Sequence, residues 1–140
     1  MFNPTRDQVR RFFFDAWRKH RERSPLVGLE AVAVDVMLAH PEYRHVLDDP
    51  ARFLDRDYVP EDGATNPFLH MSLHVAIEEQ LAIDQPPGIR TEFERLLARR
   101  GDRHDALHAV LECLGAAVWE GQRGAGAPDA VVYLECLRRK

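Results

Sequence analysis

Asn66-Pro67-Phe68-Leu69-His70-Met71-Ser72-Leu73-His74-Val75-Ala76-Ile77-Glu78-Glu79-Gln80-Leu81-Ala82-Ile83 reads as one long helix. Asn66 is a good helix cap. Pro67 suits the first helical position, where its missing N–H has no partner to lose. The apolar residues that follow recur at three- and four-residue spacing, the period of a helix rather than the alternation of a strand. Asp84-Gln85-Pro86-Pro87-Gly88 then stops the helix abruptly. A second long stretch, 103–123, follows Gly101 and Asp102, a C-terminal glycine and the next cap.

Outward from these two segments the rest of the chain reads the same way. Thr5 or Asn3 caps a first helix running to about Arg23, with Phe13, Phe14 and Trp17 on one stripe and arginines on the rest. Ser24-Pro25 reads as a cap and first-turn proline ahead of a Leu-, Val- and Ala-rich helix to Ala39. Pro41 to Leu47 and Pro50 to Leu54 read as short helical pieces, and 55–65 as the loop. Ile89 to Arg100 is another helix, and Pro128-Asp129 starts a last one. No alternating strand is found. The expectation is an all-α, compact helical bundle of five to seven helices. It forms a single domain over 1–140, with 67–83 and 103–123 packed together.

The chain has 140 residues. A domain of that length buries roughly 68% of its unfolded surface, so it needs neither metal nor disulfide to hold a core. The formal net charge of −4 argues against a nucleic-acid partner. The start carries no apolar targeting region, and no apolar run is long enough to span a bilayer. Cys113 and Cys136 stand far apart in no ligand-like spacing, and read as two separate small apolar residues suited to a reducing cytosol.

One pattern carries chemistry. His70, His74 and Glu78 repeat as His104, His108 and Glu112, each a His-x3-His-x3-Glu. A four-residue step advances one turn plus about 40°, so each triplet forms a shallow ribbon along its helix. Leu73 and Ile77 flank the first ribbon, and Leu107 and Leu111 the second, which places both at the margin of the core. Imidazoles and carboxylates are costly to bury unless paired or ligated. Two facing ribbons would offer the donors that zinc, ferrous iron, manganese or nickel accept, in one or two metal positions. Zinc or iron is the expected cofactor, with no nucleotide or organic cofactor indicated. His40 and His45 are further candidates, His40 also reading as a cap and His45 as a surface residue. Any catalysis would use a metal-bound water or a redox metal, and the residues name no substrate. The alternative is a non-enzymatic interaction module. There the histidines are core hydrogen-bonding groups, and the basic, aromatic first helix meets a protein partner or a second copy.

Met1-Phe2-Asn3-Pro4, His40-Pro41-Glu42-Tyr43, Asn66-Pro67-Phe68-Leu69-His70, Glu79-Gln80, Gln85-Pro86-Pro87-Gly88-Ile89 and His104-Asp105-Ala106-Leu107-His108 followed by Glu112-Cys113-Leu114 together resemble a small bacterial family, domain of unknown function 1841. The resemblance covers essentially the whole chain. It implies a cytoplasmic bacterial protein and no particular activity. A looser likeness is to hemerythrin-like bundles, through His74-x3-Glu78 and His104-x3-His108. The final helix holds no histidine, so the closing His-x4-Asp of that pattern is missing.

Overall fold

The computed structural model describes residues 5–58, 66–123 and 129–140. The described residues contain helices, turns and no strand. Among the described residues eight α-helical segments run in order: α1 (Arg6–Arg21), α2 (Leu29–Leu38), α3 (Arg44–Leu47), α4 (Pro50–Phe53), α5 (Pro67–Ile83), α6 (Ile89–Arg100), α7 (Arg103–Arg123) and α8 (Ala130–Arg138). A 3-10 turn, Pro41–Tyr43, leads into α3. The all-α expectation holds. No helix of the described residues is long and apolar enough to cross a membrane.

Local chemistry explains the boundaries. Thr5 and Gln8 form a reciprocal capping box at the start of α1. The Asn66 side chain accepts from the backbone N–H groups of Phe68 and Leu69. Gly101 closes α6 in the left-handed conformation, φ 76°, its N–H donating to Leu97. Asp102 and Asp129 accept from the first turns of α7 and α8. One boundary differs from the expectation. Ser24-Pro25 does not start α2, because the Ser24 N–H turns back to the Lys19 carbonyl and completes the end of α1. Gly28, at φ 57°, then opens α2. The expected loop from Asp55 is described only as far as Tyr58, and the remainder, 59–65, lies outside the described residues.

The chain divides into two compact units, Met1–Val75 and Ala76–Lys140, with the division falling inside α5. In the first, the aromatic stripe of α1 is core rather than surface. Phe13, Phe14 and Trp17 are buried with Val34 and Met37 of α2, Leu47, Phe53, Phe68 and Met71. Arg10 is buried among them at 2% exposure. Its Nη1 donates to the carbonyls of Phe53, Leu54 and Arg56, and its guanidinium lies 4.8 Å from the Phe68 ring centroid. This cation is therefore held by carbonyl dipoles and aromatic faces, which lets a charge stay in a core.

In the second unit α6, α7 and α8 pack on one another through Phe93, Leu96, Val110, Leu114, Tyr133 and Leu137. The reading of two separate cysteines is corrected here. Cys113 of α7 and Cys136 of α8 form a disulfide, their Cα atoms 5.7 Å apart. Packed helices bring together residues that sequence spacing separates. The thiols therefore lend no support to a reducing compartment.

Candidate metal centre

The first unit gathers three imidazoles. His70 and His74 lie one turn apart on α5, as their spacing requires, and His40 reaches them from the position that precedes the 3-10 turn, two residues past the end of α2. His40 Nε2 is 3.1 Å from His70 Nε2, which is 3.2 Å from His74 Nε2. One nitrogen from each lies within 4.8 Å of the others. His40 and His74 are 1% and 2% exposed, and His70 is half-buried.

A second bond fixes the chemistry of His40. Its Nδ1 lies 2.8 Å from the Val36 carbonyl. A carbonyl oxygen only accepts, so Nδ1 carries a proton, and in the neutral ring Nε2 presents its lone pair to the cluster. This is the usual outer bond of a metal-ligating histidine, which sets both ring orientation and tautomer. Tyr43 stacks on the His40 ring at 5.5 Å and meets His70 edge-on at 5.9 Å. Burial pushes the Tyr43 hydroxyl above its ordinary pKa, and the Glu42 charge adds to that. Zinc–nitrogen bonds of about 2.0–2.1 Å at the tetrahedral angle put neighbouring ligand nitrogens about 3.3 Å apart. The His40–His70 and His70–His74 Nε2 separations sit close to that value, and the third pair lies within 4.8 Å.

The other expected residues belong to the second unit. His104 and His108 are one turn apart on α7, their ring centroids 4.2 Å from each other. Glu78, in the last turns of α5, is gripped by both arms of the Arg103 guanidinium, at 3.0 and 3.1 Å. Glu112 is exposed and pairs with Lys140 at 2.6 Å, and that ammonium holds its carboxyl below the ordinary range. His45 is on the surface against Phe53. The geometry thus brings His70 and His74 together with His40, and engages both carboxylates in ion pairs. His40 was read only as an extra candidate. The signal for it was Pro41, which keeps the helical run from continuing past His40 and leaves the ring four residues from the Val36 carbonyl.

A family model described as "Domain of unknown function (DUF1841)" matches residues 5–139. No curated protein and no solved structure matches the chain.

Proposed function

The chain belongs to the DUF1841 family, whose model spans nearly all of it, and from that premise we propose that it is a metal-binding helical protein with its centre on His40, His70 and His74. The observation that carries this reading is the convergence of three Nε2 atoms at 3.1 and 3.2 Å, with the His40 tautomer set from behind by Val36. Imidazole nitrogen suits zinc and ferrous iron, and either is the expected ion. Hydrogen bonds among three Nε2 atoms need a proton at each contact, and both contacts here use the same His70 nitrogen. A cation accepts all three lone pairs at once.

Three nitrogens leave a coordination position open, the feature that separates catalytic zinc sites from closed structural ones. The repeated sequence pattern offers His104, His108, Glu78 and Glu112 as further candidates without ranking them, and both carboxylates already stand in ion pairs. The ion supplies Lewis acidity or redox capacity. The protein's own contribution is to orient three rings and exclude water from two of them. No substrate is assigned.

The test is elemental analysis of protein purified without an affinity tag, alongside His70→Ala, His74→Ala and His108→Ala variants. About one equivalent of zinc or iron is expected in the parent. Loss is expected in the first two variants while their circular dichroism stays helical. Half-buried His70 guards the test against misfolding at buried His74. A parent that is metal-free, and that takes up neither zinc nor ferrous iron when offered, overturns the proposal and leaves a hydrogen-bonded histidine core.

A further inference from the structure

Two open clefts of similar size meet at Trp17, and their charge differs. One, of about 580 Å³, is lined by Arg11, Arg18 and Arg21 and by Asp15, Glu22 and Asp48, so its formal charges cancel. The other, of about 560 Å³, is lined by Arg21, Arg23, Arg44, His20, Ser24 and Trp17, with no carboxylate in its wall. Leu26 and Leu38 complete it. Arg21 is held by Asp48 at 2.6 Å. Arg23 and Arg44 make no direct ion pair among the described residues, though the charges of Arg44 and Asp48 act on each other. In a chain of formal net charge −4, these cations run against the overall charge.

The backbone adds an independent observation. Arg23 sits at φ 59°. Its N–H donates to the His20 carbonyl as α1 ends. That position favours glycine, because a Cβ crowds the carbonyl oxygen in the left-handed conformation. The closure of α1 needs a residue tolerant of positive φ and has no use for a guanidinium. An arginine there points to a role in the cleft its side chain lines.

We propose that this cleft binds a small phosphate monoester with an apolar body. Guanidinium groups match phosphate oxygens in a two-pronged geometry, and the Ser24 hydroxyl adds a donor. Trp17 is a fixed wall, since its indole N–H donates to Asp48 at 2.8 Å, and the Arg44 guanidinium lies 5.9 Å from its ring. Leu26 and Leu38, the latter 54% exposed, offer most of the apolar surface that the body of the ligand covers, with only the edge of buried Trp17 behind them. Clefts of about 300–1,000 Å³ suit small molecules, and bare phosphate would leave most of this one to water. No wall residue belongs to the histidine cluster, so this site stands or falls apart from the metal centre.

The test is calorimetric titration with phenyl phosphate at physiological ionic strength, with inorganic phosphate and phenylacetate as comparators. It is run on the parent, Arg44→Gln and Arg23→Gly. Phenyl phosphate is expected to bind saturably and several-fold tighter than either comparator. Each variant is expected to weaken it about tenfold, the loss that removing one charge-assisted hydrogen bond produces. Arg23→Gly should also melt no lower than the parent, since glycine accepts that φ without strain. Absence of saturable binding, equal affinity for a comparator, or full-strength binding by both variants overturns the proposal. So does binding abolished by a chelator, which would locate the phosphate on a metal ion instead.

Discussion

At Asp48 one carboxylate oxygen receives both the Trp17 indole N–H, at 2.8 Å, and an Arg21 guanidinium N–H, at 2.6 Å. The indole bond, then Arg21, hold this carboxyl below the ordinary aspartate range against the burial that raises it. An unfolded aspartate titrates near pH 4, at about 3.9. The stability that Asp48 contributes is therefore present above that pH and lost as pH falls through the lower folded value. The side chain is 36% exposed, so solvent screening trims the effect. Asp48→Ala is expected to cost about 1 kcal/mol at neutral pH. Urea unfolding of parent and variant at pH 7 and pH 3 reads it. The gap should narrow at the acidic value, and a gap that stays constant would refute the account. Residues at this scale were unequally legible. His70 and His74 are readable as a pair because four residues make about one turn. His40 is 30 positions from His70, and no local rule links them; only the packing of the first unit does.

Helices announced themselves where their ends carry side-chain chemistry. Asn66-Pro67, Gly101 and Asp102 each make the bonds their residue types imply, and α5, α6 and α7 begin and end where those residues place them. The start of α2 was misread because Ser24 is drawn into the end of α1, a choice made by the backbone of the preceding turn. The pairing of α7 with α8 was illegible for another reason, since no spacing rule reports which helices lie side by side. The disulfide joining them closes a loop across a sequence separation of 23. By the chain-entropy account such a closure stabilises by about 3 kcal/mol. Cys136→Ala, or reduction of the parent, is expected to lower stability by about that amount in denaturant titrations. Unchanged stability under reductant, with the thiols shown by mass to be free, would contradict the link.

For the molecule as a whole, the all-α class was legible throughout, because helical periodicity and caps recur along the chain while no segment alternates. The metal reading has a whole-molecule consequence. An ion that binds only the folded chain stabilises it, by about 2.7 kcal/mol at a hundred times its dissociation constant. A single domain, the expectation from chain length, would show this in calorimetry as one transition that chelator moves down and added zinc or iron restores. A melting point indifferent to both would speak for the histidines as plain core groups.

The bond between Cys113 and Cys136 also changes what happens when the chain is cut. A protease that breaks any one peptide bond between those two positions produces two fragments that stay on one covalent thread. Nicked protein would run undivided on a gel without reductant and as two bands with it. α8 has nine residues, too few to persist as a helix alone in water, where about 12–15 is the margin. Tethered, it stays at high local concentration beside α7 and can dock again after every excursion.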